Sequence, residues 1–185
     1  MVQRRSIVLL SGGIDSASLI PFLVDEQHHM IGLFVDYGQA SAQKELAAAR
    51  DIAEHFGIPL MTRLVNGASR KTAGVIPGRN AFLLTLAFAE LQTPAGQIAI
   101  GIHAGTQYAD CAPAFVDQMQ NLADVYFRGT VRILAPFLQW SKRDIWCYAG
   151  ERLPVHKTYS CELGLSQPCG KCLSCQDLES LYACP

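Results

Sequence analysis

Short apolar runs that alternate with helix-forming stretches are the feature of this sequence that most restricts its fold. Residues 7–10 are apolar and end at Ser-Gly-Gly, and the next apolar run, residues 30–35, ends at Asp-Tyr-Gly. Runs of this length between turn residues are typical of strands that are buried on both faces. Strands that alternate with helices at this spacing predict a parallel sheet covered by helices on both sides.

The same pattern predicts five strands and five helices before residue 153. We therefore predict an α/β fold with a doubly wound, parallel, five-stranded sheet. Ser141 is the predicted N-cap of the last of these helices. Residues 66–78 are polar and glycine-rich, and a loop of that length indicates a functional segment. The other predicted strands are 58–65, 97–101 and 131–134, and the predicted helices are 16–24, 41–56, 80–91, 112–126 and 141–148.

Composition narrows the class of protein. Half of the 185 residues are hydrophobic and 17% are charged, which predicts a well-buried core and no long disordered region. The net charge of -1 gives no reason to expect a nucleic-acid or membrane partner. The apolar run at residues 7–10 is too short for a signal peptide or a membrane span. We expect a cytoplasmic protein that acts on small molecules.

Cysteines dominate the last part of the chain. From Leu153 onward the sequence is rich in cysteine, glycine and serine, so we predict two units, residues 1–152 and 153–185. Four cysteines have the spacing C-x7-C-x2-C-x2-C. Four thiolates at this spacing match a closed tetrahedral zinc site with a structural role. An iron–sulfur cluster is the alternative, since C-x2-C-x2-C also occurs in ferredoxins. The predicted ligands are Cys161, Cys169, Cys172 and Cys175, and Cys111, Cys147 and Cys184 are predicted to be inert.

A glycine turn follows the first predicted strand and opens the first predicted helix. Gly12 and Gly13 let backbone N–H groups approach an anion, and the helix start adds a partial positive charge. Ser11 and Ser16 offer hydroxyls to phosphate oxygens, while Asp15 can hold Mg²⁺ or cap the helix. The turn lacks the lysine of a phosphate-gripping Walker loop and the third glycine of a dinucleotide fingerprint. Two glycines alone would also fit a plain turn between a strand and a helix.

The complete string Ser-Gly-Gly-x-Asp-Ser resembles the pyrophosphate loop of the ATP pyrophosphatases, or PP-loop enzymes. The resemblance implies that the loop holds the β,γ-pyrophosphate as a leaving group while a substrate oxygen attacks the α-phosphate. Asp36 and Tyr37, at the end of the second predicted strand, are further candidates for nucleotide binding. For Asp36 a turn or capping role is the alternative. The predicted loop contacts are Leu10, Ser11, Gly12, Gly13, Ile14, Asp15 and Ser16.

Five strings in order along the chain narrow the resemblance: SGGIDS (11–16), DYGQ (36–39), PGRN (77–80), GIHAGTQYADC (101–111) and SC…CGKCLSC (160–175). Together they resemble the 7-cyano-7-deazaguanine synthases of the queuosine pathway. That family makes a nitrile from 7-carboxy-7-deazaguanine with ATP, Mg²⁺ and ammonia, and carries one structural zinc.

The resemblance also implies roles for four residues outside the loop. Arg79 and Asn80 would close on phosphate or substrate, with Arg79 offering a bidentate fork to a carboxylate. Asp110 would pair with the amino-pyrimidine edge of the deazaguanine, and Lys142 matches a basic catalytic position. The alternatives are a solvated surface position for Arg79 and Lys142 and a helix cap for Asp110.

Two departures from the family pattern leave the acceptor open. The loop before PGRN is shorter than in typical synthases, and the family's Asp-Cys-Arg reads Asp110-Cys111-Ala112. QueC-like proteins of antiphage gene clusters make a second reading plausible, in which the activated deazaguanine is joined to a protein amine. A third reading is a nucleotide-binding module without catalysis. Whether the protein forms a homodimer is open.

Overall fold

The computed structural model describes residues 5–24, 29–66, 76–103 and 108–182. Its five strands are all parallel and lie in the order β3-β2-β1-β4-β5. The predicted α/β fold with a five-stranded parallel sheet is confirmed. The strands are β1 Arg5–Leu9, β2 His29–Asp36, β3 Leu60–Leu64, β4 Gly96–Ala99 and β5 Val131–Leu134.

Six α-helices occur in the described part of the chain. The first five lie where the sequence predicts them, although α5 runs past the predicted end at Tyr148. The sixth, in the cysteine-rich tail, is not predicted, because that segment lacks a clear apolar period. No helix of the described ranges is long and apolar enough to cross a membrane. The helices are α1 Ile14–Val24, α2 Ala42–His55, α3 Arg79–Glu90, α4 Pro113–Phe127, α5 Lys142–Arg152 and α6 Leu173–Tyr182.

The sheet has an apolar core on each face. Ile7 and Val8 are adjacent in β1, and both are fully buried. Because successive side chains of a strand point to opposite faces, both faces of the sheet are covered. The core around Val8 includes residues of α1, α2 and α5, and the core around Ile7 includes residues of α3 and α4. The chain winds outward from β1 to β3 and then returns to β4 on the other side of β1. That reversal opens a crevice at the carboxyl ends of β1 and β4, where ligands bind in such sheets.

The cysteine-rich tail packs against the preceding part of the chain at three points. The backbone N–H of Tyr159 donates a hydrogen bond to the Gly12 carbonyl at 3.0 Å. Gly164, at φ +70°, lies directly on the Ala40 carbonyl, with no room for a side chain between them. Leu178 of α6 packs on the core between the sheet and α1. Whether residues 153–185 fold as a separate unit stays a prediction.

Gly12 sits at a point of close contact between the loop after β1 and helix α2. Its φ is +81°, which disfavours residues with a side chain. A Cβ atom there would lie 2.6 Å from the Glu45 carbonyl oxygen and 2.8 Å from the Ala49 nitrogen. Both atoms belong to the backbone of α2 and cannot rotate away.

We expect Gly12→Ala to destabilise the protein more than Gly129→Ala does. Gly129 has a similar φ of +78° but nothing within 4 Å of the added Cβ, so it reports the left-handed backbone cost alone, about 1–2 kcal/mol. At Gly12 overpacking against α2 adds about 1–3 kcal/mol. Urea unfolding of both variants measures the difference, and equal losses would show that α2 moves aside freely.

Candidate functional site

Two adjoining cavities lie at the carboxyl ends of the strands. The smaller, of about 190 Å³, is bounded by the ends of β1 and β2 and by Tyr37. The larger, of about 620 Å³, runs from the glycine loop to the tail, where Ser160 and Asp177 line it. The residues that line both cavities are Ser11, Ser16, Glu45, Arg79, Gly101 and Ile102.

The glycine loop is held in shape by Ser16. Its hydroxyl donates to the Gly13 carbonyl at 2.9 Å and accepts the backbone N–H of Ser11 at 3.2 Å. The Ser11 and Ser16 hydroxyl oxygens lie 3.0 Å apart. Ser16 is buried and Ser11 is exposed, so Ser16 fixes the turn while Ser11 faces the cleft. The first N–H groups of α1, which begins at Ile14, have no partner within the helix and form an anion site beside that hydroxyl.

Asp15 and Lys142 meet at the mouth of this loop. The Lys142 Nζ lies 2.6 Å from both carboxylate oxygens of Asp15, and both side chains are about a quarter exposed. Lys142 is the first residue of α5, whose N-cap Ser141 forms a reciprocal capping box with Asp144. The predicted N-cap is confirmed, and it fixes where Lys142 leaves the helix. Lys142 is therefore paired with a carboxylate of the loop, not simply solvated.

His103 completes this charged group, and sequence reasoning assigned it no role. Its Nε2 lies 3.9 Å from the nearer Asp15 oxygen, and the residue is 6% exposed. Burial lowers the pKa of His103, and the charge of Lys142 adds to that, while Asp15 and Asp177 act the other way. Burial and the charge of Lys142 therefore both favour the neutral form of the imidazole. Its position just after a predicted strand, where ligands lie in such sheets, is the signal that could have identified it.

Arg79 and Tyr37 meet where the two cavities join. A hydrogen bond and the charge of Arg79 both lower the pKa of Tyr37, but burial outweighs them and the net shift is upward. Arg79 lines both cavities, as do Ser11 and Ser16 of the glycine loop. Asp36 faces its own turn, where its Oδ1 accepts the N–H of Gly38 at 2.9 Å. A nucleotide contact for Asp36 stays a prediction.

Asn80 and Asp110 hold two segments of the cleft wall together. Asn80 is 3% exposed, and its side-chain Nδ2 donates to the Asp110 carbonyl at 3.2 Å. The Asp110 carboxylate in turn accepts the backbone N–H of Asn80, near the start of α3, at 3.4 Å. Substrate binding by Asn80 and Asp110 stays a prediction.

The four tail cysteines converge on one point. Their sulfur atoms all lie within 4.8 Å of one another, and Cys161 and Cys175 are buried. The Cys169 and Cys175 sulfurs are 3.8 Å apart, the edge of about 3.8 Å expected for a tetrahedron of 2.3 Å zinc–sulfur bonds. Backbone N–H groups of Lys171 and Cys172 lower the pKa of Cys169 to about 6. The cluster fits a metal ion with four thiolate ligands.

The remaining cysteines do not join this cluster in the part of the chain that the structure describes. Cys147 is exposed on α5, and Cys111 lines the larger cavity. Cys184 lies outside the described residues, as do residues 67–75 of the predicted functional loop and residues 104–107 of the string before Asp110.

Comparison with known proteins matches nearly the whole chain to one family. The model of the queuosine biosynthesis protein QueC matches residues 5–73 and 62–183. A 7-cyano-7-deazaguanine synthase of Prochlorococcus marinus is 35% identical over 95% of this chain and 92% of that protein. The synthase of Aquifex aeolicus is 33% identical over 91% of this chain and 92% of that protein.

A solved structure shares the fold at lower identity. It is that of a predicted subunit of a tRNA methyltransferase from Methanocaldococcus jannaschii. The TM-score is 0.56 at 14% sequence identity, covering 80% of this chain and 75% of the other. The likeness supports the α/β architecture and nothing about activity.

The comparisons also show that this chain lacks residues which one of the synthases has. The alignment with the Prochlorococcus synthase has 208 positions, more than the 185 residues of this chain, so the synthase has residues that this chain lacks. The family match falls into two stretches that meet at residues 62–73, just before the PGRN string.

We expect the stability of the protein to fall in acid partly through His103. Because its pKa is lowered by folding, the unfolded chain binds the proton first as the pH falls below about 6.5. The stabilisation from neutral His103 is complete above that pH and is lost below it. Urea unfolding of wild type and His103→Asn at neutral and mildly acidic pH measures the effect.

The His103→Asn variant should lose less stability than the wild type when the pH is lowered. His55→Asn, at the exposed end of α2, is the matched control and should keep the wild-type pH dependence. Identical pH profiles for His103→Asn and the wild type would contradict the assignment of a buried neutral imidazole.

Proposed function

The chain belongs to the family of the queuosine biosynthesis protein QueC, and we propose that it is an ATP-dependent carbon–nitrogen ligase that converts 7-carboxy-7-deazaguanine and ammonia into 7-cyano-7-deazaguanine. The observation that carries this proposal is the glycine loop with Lys142 at its mouth. The loop provides an anion site and no Walker lysine, and it lies at the crevice of a parallel sheet. Such a site suits release of pyrophosphate better than transfer of a γ-phosphate.

ATP fits the two cavities in one direction. The smaller cavity, with apolar walls from β1 and β2, suits adenine. The loop at 11–16 then receives the β- and γ-phosphates, with hydroxyls from Ser11 and N–H groups from the start of α1. The α-phosphate falls near Arg79, which lines both cavities. The part of the larger cavity away from the glycine loop remains for the deazaguanine.

The chemistry proceeds through two adenylations. A carboxylate oxygen of the substrate attacks the α-phosphorus of ATP, and pyrophosphate leaves. Ammonia attacks the acyl carbon, AMP leaves with the former carboxylate oxygen, and loss of a proton gives the amide. The amide oxygen attacks the α-phosphorus of a second ATP and a second pyrophosphate leaves; loss of AMP and of the two amide protons then gives the nitrile. The protein supplies position and charge, holding the reacting atoms about 3–3.5 Å apart.

Lys142 and Asp15 would act on the phosphates in two ways, Lys142 directly and Asp15 through Mg²⁺. In the structure a cation, the Lys142 ammonium, already stands 2.6 Å from both Asp15 oxygens, so the position suits a positive charge. We infer that Lys142 turns to the pyrophosphate when ATP binds. Asp15 would then be able to hold Mg²⁺, which shields the phosphate oxygens and eases departure of pyrophosphate.

The tail cysteines would hold zinc in a structural role. An all-cysteine shell leaves no open coordination position for a substrate. The segment between Tyr159, which donates to the Gly12 carbonyl, and Cys161 is a single residue, so the metal site is tied to the glycine loop. Zinc would therefore keep the tail wall of the larger cavity in place.

The shortened segment before PGRN favours one alternative acceptor. The two stretches of the family match overlap at residues 62–73, and the Prochlorococcus synthase has residues that this chain lacks. A shorter segment would cover the acyl adenylate less completely. A larger amine, such as that of a protein, could then reach it. The product decides between the two.

We expect the protein to release AMP and pyrophosphate from ATP and to form free 7-cyano-7-deazaguanine when supplied with ammonia. Mass spectrometry of the product and a coupled pyrophosphate assay measure this with no partner protein present. Asp15→Asn should abolish turnover with the circular dichroism of the wild type, because the loop loses its only carboxylate.

Each other result has a distinct meaning. ADP and phosphate as the nucleotide products would contradict adenylation. Pyrophosphate release that stops at the adenylate or the amide, with nitrile absent, would favour the protein amine as acceptor.

We also expect one zinc per chain in colourless protein, bound through the four tail cysteines. Cys175→Ser removes a buried ligand and should lose the metal and stability, as structural zinc contributes to folding. Cys147→Ser, at an exposed cysteine outside the cluster, should keep it. Elemental analysis measures the zinc content of both variants, and urea unfolding measures their stability. A brown protein that contains iron would show that the four cysteines bind an iron–sulfur cluster and not zinc.

A further inference from the structure

The junction of the two cavities is where the ribose of ATP must lie. The ribose joins the adenine to the phosphates, so groups outside the glycine loop that line both cavities would flank the sugar and the α-phosphate. Of the described residues that line both, Arg79 is the cation and Glu45 the carboxylate. An arginine has donors only, and it suits the phosphate; a carboxylate has acceptors only, and it suits hydroxyls.

Glu45 is held in place from two sides. It lies in the first turn of α2, and its own carbonyl oxygen lies against Gly12 of the glycine loop. One carboxylate oxygen accepts the side-chain N–H of Gln39 at 2.9 Å, and the other accepts the Ser41 hydroxyl at 2.7 Å. Gln39 and Ser41 are 9% and 3% exposed, so these two donors belong to the packed interior.

The two contacts leave acceptor capacity on both oxygens. An ionised carboxylate offers about four lone-pair sites, of which Gln39 and Ser41 use one on each oxygen. Two sites remain, one on each oxygen, on a side chain that is half-buried at the cleft. The negative charge also reaches the adenine cavity, since Glu45 raises the pKa of Tyr37.

We propose that Glu45 selects the ribonucleotide by accepting hydrogen bonds from the 2′- and 3′-hydroxyls of ATP. A carboxylate has the same task in dinucleotide-binding folds, where it accepts from the ribose. Gln39 and Ser41 are positioning residues that keep the two oxygens aimed at the sugar. The inference rests on the proposed function for the presence of ATP, and it adds a determinant of nucleotide choice.

The test compares ATP with 2′-deoxy-ATP and 3′-deoxy-ATP in wild type and Glu45→Gln. Because hydrogen bonds to a charged group are worth about 1.5–3 kcal/mol, wild type should prefer ATP by about 10- to 100-fold in kcat/KM for pyrophosphate release. Glu45→Gln should lose most of that preference, with the loss falling on ATP and little change for the deoxynucleotides. Glu54→Gln, the same change at an exposed site on α2, should keep the wild-type ratio.

Two results would overturn the inference. Equal use of ATP and both deoxynucleotides by wild type would show that the sugar hydroxyls are not read. An equal loss for all three nucleotides in Glu45→Gln would assign Glu45 to metal binding or to support of the loop. Calorimetric Kd values for the three nucleotides decide the same question without turnover. If wild type releases no pyrophosphate, the ligase proposal fails, while the Kd ratios still test Glu45.

Discussion

The backbone contact at Gly12 is the constraint on which the site depends. The loop after β1 presses on the first turns of α2, close enough that a single Cβ would meet the Glu45 carbonyl. The Gly12 carbonyl on the other side receives the N–H of Tyr159 from the tail. Helix, loop and tail therefore meet at one residue without a side chain. This contact fixes the positions of Glu45, the glycine loop and the cysteine cluster relative to one another.

The electrostatics of the cleft follow from which groups the fold brings to that loop. Asp15 is paired with Lys142, and His103 beside them is kept neutral by burial. A neutral imidazole adds no charge to a site that must receive highly charged phosphates. Lys142 supplies a cation, and the N-terminus of α1 supplies a partial positive charge. Both positive contributions lie at the glycine loop, because Asp15, the partner of Lys142, is in the first turn of α1.

Several features of the fold and site could be predicted because they are local. Alternating apolar runs predicted the five strands, and Ser141 was identified as an N-cap from its place before a helix-forming stretch. The spacing of the four cysteines predicted a common ligand point, and their sulfurs lie together. Helix α6 was missed, since its position is set by packing on α5 and the core and not by a period in its own sequence.

Sequence by itself determined the parallel α/β fold, the glycine loop and the cysteine cluster, because periodicity and short spacings specify strands, turns and ligand sets. The tertiary structure alone decided which distant side chains share the cleft. Asp15 and Lys142 are 127 residues apart, and nothing near either one predicts their contact. The same holds for Glu45, which a helical pattern counts as a surface residue until Gly12 brings α2 onto the loop. Asp110 and Asn80 are likewise 30 residues apart, and the fold joins them by a hydrogen bond from the backbone N–H of Asn80 to the Asp110 carboxylate.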